Sequence, residues 1–143
     1  MAYTGQCLCG QVKVSINAEP LGARMCWCRD CQYIASGSAT VNVLFPDEAV
    51  HYEGDIGTFR MTADSGNTVE RGFCARCGAQ MYSRTVEPAG MPIRVRAGTL
   101  DNRELMAPQA IIWATRAPNW VKLDPDLPQF PEGPPPHLAN RTK

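Results

Sequence analysis

The sequence has no excess of either charge. Among its 143 residues, 14 Lys and Arg balance 14 Asp and Glu. The basic residues are scattered, with no run of five or six. A field that would favour nucleic acid or an anionic membrane is therefore missing, and neither partner is expected. No apolar stretch approaches the roughly 20 residues needed to span a bilayer. The first nine residues lack the charged start and apolar run of a signal peptide. The expected compartment is the reducing cytoplasm, where clustered cysteines bind metal or do redox work more often than they form structural disulfides. No internal repeat is visible, and the length suits one domain with its own core.

No cysteine lies outside three short clusters. Cys7 and Cys9 form a C-x-C, Cys26, Cys28 and Cys31 a C-x-C-x-x-C, and Cys74 and Cys77 a C-x-x-C. Disulfides alone would leave one of the seven unpaired. Thiols this close in sequence are poorly placed to bridge each other and well placed to hold one ion. Seven thiolates divide into a closed set of four and an open set of three. A closed tetrahedral zinc is structural, whereas a three-ligand zinc keeps a position for water or substrate.

Pairing Cys7 and Cys9 with Cys74 and Cys77 gives the closed set. In an extended segment, side chains i and i+2 share a face, so the C-x-C can grip one ion. Two residues between Cys74 and Cys77 let the backbone turn so that both sulfurs face one ion. Gly10 and Gly78 follow the clusters and suit positive φ, which turns backbone N–H groups toward the thiolates. The competing reading is a redox C-x-x-C of the thioredoxin kind, but no βαβ pattern surrounds Cys74.

Cys26, Cys28 and Cys31 form the open set, a second zinc site. Three thiolates and Zn²⁺ carry a formal charge of about −1, so a further anionic thiolate can still be accommodated. The chemistry implied is the binding and activation of a small thiol. Two other readings stand beside it. Either His51 or Asp30 closes the site as a fourth ligand, or the three cysteines act as a redox cluster without metal.

Alternating residues at 11–17 read as a half-buried strand, ended by a turn at 19–22. Further strands are expected at 39–45, 58–62, 68–73, 80–85, 93–97 and 110–114. A short helix is expected at 28–35, broken at Ser36-Gly37-Ser38, and one helical turn at 46–49. The class is mostly β with little helix. A domain is expected over 1–123, followed by a Pro-rich tail at 124–143. The tail is expected to pack over the domain to about residue 136 and to fray over 137–143.

These clusters and their surroundings resemble the glutathione-dependent formaldehyde-activating enzyme family, whose domain also occurs in centromere protein V. The resemblance runs through Gly5-Gln6-Cys7-Leu8-Cys9-Gly10, Cys26-Trp27-Cys28-Arg29-Asp30-Cys31 and Ser36-Gly37. It continues in Glu70-Arg71-Gly72-Phe73-Cys74-Ala75-Arg76-Cys77-Gly78, Gly98-Thr99-Leu100-Asp101, Ala117-Pro118-Asn119-Trp120 and Leu127-Pro128-Gln129-Phe130-Pro131. It implies a β-tent of small antiparallel sheets stapled by zinc. It implies two zinc ions per chain, a structural one on Cys7, Cys9, Cys74 and Cys77 and one on Cys26, Cys28 and Cys31 at the substrate thiol. The implied activity is that of a carbon–sulfur lyase or synthase, joining formaldehyde and glutathione as S-hydroxymethylglutathione or reversing that step. The alternative is a non-catalytic, zinc-stabilised binding or scaffold module.

Two positions depart from the family pattern. Trp27 and Ile111 stand where many members have His, which would remove two candidate proton handlers. Arg71 and Arg29 are candidates for a ligand carboxylate, with Glu53 or Asp55 as the competing surface partners of Arg71. Trp27 is a candidate wall of the pocket, Ser36 a candidate donor to a thiolate, and Trp113 and Trp120 are expected to anchor packing.

Overall fold

The structure, a computed structural model, describes residues 2–135. Its smaller sheet has three antiparallel strands. The expected strand at 11–17 is β2, Lys13–Ile16, flanked by β1, Tyr3–Gln6, and by Val50–Glu53. The larger sheet has seven strands. In chain order, the strands after β2 are β3, Gly22–Cys26, β4, Thr40–Phe45, β5, Val50–Glu53, and β6, Ile56–Thr62. They continue as β7, Thr68–Cys74, β8, Gln80–Glu87, β9, Ile93–Arg96, and β10, Ile111–Ile112. The large sheet is ordered β10-β3-β4-β9-β8-β7-β6. Every neighbouring pair in it is antiparallel except β10 with β3. One α-helix, α1, Arg29–Ile34, and three 3-10 turns complete the regular structure among the described residues. The class is thus mostly β with little helix, as expected.

The sheets pack through one apolar core. Val12, Val14 and Ile16 of the small sheet meet Val43, Phe45, Met81, Ile93 and Val95 of the large one. All eight are almost fully buried. Each such side chain contributes about 1.5–3 kcal/mol on leaving water. Successive residues of a strand point to opposite faces. The core therefore takes one face of the large sheet and leaves the other to Arg24, Asn42, Arg71, Ser83, Arg94 and Arg96. Ladder partners place these six together: Arg24 opposes Asn42, Asn42 opposes Arg96, Arg94 opposes Ser83 and Ser83 opposes Arg71.

Three strands, β1, β3 and β5, were not expected from sequence pattern. β3 begins at Gly22, inside the Glu19-Pro20-Leu21-Gly22 turn signal. β10 is two residues long rather than five, because Trp113 adopts φ 54° and opens the 3-10 turn Ala114–Arg116. Beside β10 runs the Pro-rich segment. The Ile111 N–H donates to the Pro128 carbonyl at 2.9 Å, the Phe130 N–H to Ile111 at 2.8 Å and the Trp113 N–H to Glu132 at 2.7 Å. The expected fraying at 137–143 lies outside the described residues.

Gly5 explains two of the quoted motifs at once. It bridges to Leu100, and a β-carbon at Gly5 would overlap the Thr99 carbonyl oxygen. Next to it the Thr4 hydroxyl donates to Asp101 at 2.7 Å. The Gly5-Gln6-Cys7 and Gly98-Thr99-Leu100-Asp101 stretches are therefore two halves of one contact.

Candidate metal centres and active-site pocket

The seven cysteine sulfurs gather into two groups, Cys7 with Cys9, Cys74 and Cys77, and Cys26 with Cys28 and Cys31. Within each group the sulfurs lie no more than 4.8 Å apart. The first group joins two hairpin turns. Cys7 and Cys9 sit in the β1–β2 connection, Cys74 ends β7 and Cys77 lies in the turn to β8, so one cluster ties the small sheet to the large one. The C-x-C is a turn rather than the expected extended segment: the Gly10 N–H donates to the Cys7 carbonyl at 3.1 Å. Gly10 and Gly78 take φ 82° and 77°. Their turns aim N–H groups at sulfur, from Val12 to Cys7 at 3.2 Å and from Arg76 and Cys77 to Cys74 at 3.4 Å each.

These distances fit a metal. Four sulfurs about 2.3 Å from one tetrahedral zinc stand about 3.8 Å from each other. Cys7 and Cys9 are 3.6 Å apart, and Cys9 and Cys74 3.8 Å. A disulfide would need about 2.05 Å. Both cysteine groups could hold a metal ion.

The second group forms where β3 meets α1. Cys26 ends the strand. Cys28 caps the helix, its sulfur accepting the Cys31 N–H at 3.3 Å. Cys31 lies in the first turn and points back at Cys26. No His, Asp or Glu joins these three among the described residues. Asp30 instead meets Arg71 at 3.5 Å, and His51 is exposed on β5 opposite Ser15.

A buried chain of hydrogen bonds ends on Cys31. Arg96 donates Nη1 to Asn42 Oδ1. Asn42 donates Nδ2 to the Thr40 oxygen at 2.9 Å, and the Thr40 hydroxyl donates to Cys31 Sγ at 3.1 Å. Each link orients the next. The arginine takes the amide oxygen, so the amide NH₂ faces Thr40. That hydroxyl, its oxygen engaged, points its proton at sulfur. Hydrogen bonds from Cys26 and Cys28, then from Thr40, with the charge of Arg96, hold the Cys31 thiol well below the usual thiol range. Hydrogen bonding with Cys28 and Cys31, together with burial, pushes Cys26 up. Three unscreened thiolates repel each other, and a cation among them relieves that repulsion.

The three cysteines line a cavity of about 300 Å³, on the polar face of the large sheet. Arg24, Arg71, Arg94 and Arg96 line it too, with Asn42, Ser83 and Thr85. Trp113, Ile112 and the tail at Gly133 and Pro134 form its far wall. No carboxylate or imidazole among the described residues lines it. Burial, then the charges of Arg96, Arg24 and Arg71, push the Arg94 guanidinium down to about 10. A second cavity of about 290 Å³ shares Arg24, Ile112 and Pro134 but reaches no cysteine.

Of the expected site residues, Arg71 does reach the pocket and does not pair with Glu53 or Asp55. Arg29 does not; it donates to Gln32 at 2.7 Å and lies over the Tyr33 ring. Ser36 is exposed at φ 56° and ends α1. Trp120 is 76% exposed, whereas Trp113 is buried. Trp27 and Ile111 do not line the cavity. They belong to one apolar cluster with Ala39, Leu123 and Leu127. The two departures from the family pattern are thus a packed pair, and the pocket loses no proton handler through them. Sequence reasoning missed Arg94, Arg96, Asn42 and Thr40. The signal for the arginines was the Ile93-Arg94-Val95-Arg96 alternation, which puts both on one face of a strand.

The model of the glutathione-dependent formaldehyde-activating enzyme family matches residues 2–116. The chain belongs to that family. Its fold is similar to the crystal structure of a Rhodobacter sphaeroides protein, a structural genomics target, with TM-score 0.56 and 17% identity. That similarity covers 73% of this chain and 96% of the other. A search of curated proteins finds none that matches. Membership of the glutathione-dependent formaldehyde-activating enzyme family accounts for the paired cysteine groups. It brings an expectation of glutathione-related thiol chemistry to the three-cysteine pocket.

Proposed function

We propose that the chain is a carbon–sulfur lyase or synthase acting on a small thiol adduct such as S-hydroxymethylglutathione. Cys26, Cys28 and Cys31 would hold the zinc at the substrate sulfur, and Cys7, Cys9, Cys74 and Cys77 a structural zinc. The observation that carries this reading is the convergence of three sulfurs, with no fourth protein ligand among the described residues, on the wall of a cavity large enough for a ligand.

A zinc ion bound there would supply Lewis acidity and a lowered pKa for a thiol beside it. The protein supplies the rest. Thr40 holds the Cys31 sulfur in place through its hydroxyl. Ile112, Trp113 and Phe130 pack around the cysteines and keep bulk water from them. In the synthetic direction a thiolate sulfur bonds to the carbonyl carbon, the C=O electron pair moves to oxygen, and that oxygen takes a proton. The reverse step breaks the same bond. With no carboxylate or imidazole in the lining among the described residues, water carries the proton. The seven thiols must stay reduced, so we place the protein in the cytoplasm. No helix among the described residues is long and apolar enough to cross a membrane.

Metal analysis of protein prepared without chelator tests this reading. Two zinc ions per chain are expected. Cys28→Ser should lower that to about one and abolish turnover of S-hydroxymethylglutathione. One zinc per chain in the wild type, with turnover unaltered by Cys28→Ser, would leave only a zinc-stabilised scaffold.

A further inference from the structure

Three strands of the large sheet send four arginines to the cavity wall. Arg24 comes from β3 and Arg71 from β7, and both Arg94 and Arg96 come from β9. Arg71 and Arg96 are each only 7% exposed. Arg71 keeps Nε and Nη1 without a hydrogen-bond partner among the described residues, and Arg96 keeps Nε and Nη2. Buried donors without partners are rare, because leaving water without a new partner is costly. Arg94 is satisfied only by neutral hydroxyls, those of Ser83 at 2.8 Å and Thr85 at 3.2 Å.

The only carboxylate bonded to any of the four is Asp30, at 3.5 Å from Arg71, among the described residues. Three thiolates with a zinc ion would add about one further negative charge. Roughly two positive charges remain for a ligand to meet. The planar donor fork of arginine suits carboxylate, sulfonate and phosphate oxygens. An ammonium group finds the opposite, since no carboxylate among the described residues lines the cavity.

We propose that Arg71 and Arg96 form an oxyanion subsite for the far end of the thiol, and that the preferred substrate is an acidic thiol lacking an amino group. This rests on the reading of Cys26, Cys28 and Cys31 as the thiol-binding end. It makes glutathione, with its α-ammonium, a poorer ligand than a simple mercapto-acid. Arg94 and Arg24 complete the positive wall, and Asn42 holds the Arg96 guanidinium by accepting one of its N–H groups.

Isothermal titration of the full, zinc-loaded chain with a series of thiols tests the subsite. The probes are 3-mercaptopropionate, 2-mercaptoethanesulfonate, 2-mercaptoethanol, cysteamine and glutathione, with propionate and ethanesulfonate as thiol-free controls. Acidic thiols should bind about 10- to 100-fold tighter than 2-mercaptoethanol, the range expected for charge-assisted hydrogen bonds. Cysteamine should bind weakest. Arg71→Met should narrow the gap while leaving 2-mercaptoethanol binding unchanged, and Arg71→Lys should restore part of it. Arg96→Met should narrow the gap and, through Asn42 and Thr40, also weaken 2-mercaptoethanol binding. Equal binding of 3-mercaptopropionate and 2-mercaptoethanol to the wild type overturns the subsite, and that comparison needs no variant to fold. So does a gap that survives both Met substitutions. Loss of the thiol reading looks different. In that case Cys28→Ser leaves 2-mercaptoethanol binding unchanged, while a gap between propionate and neutral probes that is lost in Arg96→Met still supports the oxyanion subsite.

Discussion

Replacing Thr40 with Val removes one hydroxyl and keeps the branched shape that a buried strand position needs. The substitution breaks two bonds. Cys31 loses the proton donated at 3.1 Å, and the Asn42 amide loses its acceptor at 2.9 Å. Thr40 and Asn42 are 5% and 3% exposed, so water does not replace either partner. A hydrogen bond to an ionised group contributes about 1.5–3 kcal/mol, with sulfur at the low end, and an orphaned buried donor costs about 1–3 kcal/mol. Together these predict about 2–4 kcal/mol of destabilisation, a large part of a domain's margin of about 5–15 kcal/mol. Zinc retention at the three-cysteine site should weaken about tenfold, while the four-cysteine site is unaffected. Thr40→Ser should restore most of both. Urea unfolding and competition with a chromophoric chelator measure the two effects separately. If Thr40→Val matches the wild type in both assays, the chain from Arg96 to Cys31 does not support the sulfur.

Burial, then the hydrogen bond to Glu70 at 2.9 Å, push the Tyr82 phenol up to about 12. The fold favours its neutral form, so that contribution is complete below the ordinary value of about 10 and is lost as pH climbs toward 12. Tyr82→Phe should cost about 1 kcal/mol at neutral pH and make the alkaline decline shallower; urea midpoints at pH about 8 and about 11 read this, and an unchanged decline refutes it. Gly5→Ala drives a methyl into the Thr99 carbonyl and should cost about 1–3 kcal/mol. Gly98→Ala, with nothing within 4 Å of the new carbon, should stay within about 0.5 kcal/mol in the same thermal melt. Stepwise chelation should remove the ion at the cavity first with little change in circular dichroism. The ion at the two hairpins should leave second, with cooperative unfolding, since structural zinc contributes on the order of 10 kcal/mol in small motifs. A single chelation step would contradict the assignment.

The cysteine grouping was legible because ligand chemistry constrains spacing more tightly than packing constrains side-chain choice. Cys74-Ala75-Arg76-Cys77-Gly78 can only turn, so its role follows from local geometry. Cys7 and Cys9 were legible as a pair, but their backbone was not, since a C-x-C can face one ion from a strand or from a turn. β1 and β3 were hidden because Gly5 and Gly22 look like punctuation. Both glycines serve close approaches made by distant residues, which local propensity cannot register. The cavity was the least legible part. Its residues come from six strands, α1, connecting loops and the tail, and each looks ordinary in its own segment. Trp27 shows the opposite error. Its place between two cysteines suggested a pocket wall, yet neighbours along a chain leaving a strand point to opposite sides, and its ring packs with Ile111 in the apolar layer.

The alternation in β9 has a consequence for how the chain finds its fold. A slip of one residue against β4 would exchange its faces, burying Arg94 and Arg96 in the core and exposing Ile93 and Val95 to the cavity. Two guanidiniums among Val43, Phe45 and Met81 would each cost several kcal/mol. The charges that would read a ligand thus also forbid the nearest misregistered sheet. A variant with both arginines made apolar would read Ile-Leu-Val-Leu, lose that distinction, and have two nearly equivalent ways to pair.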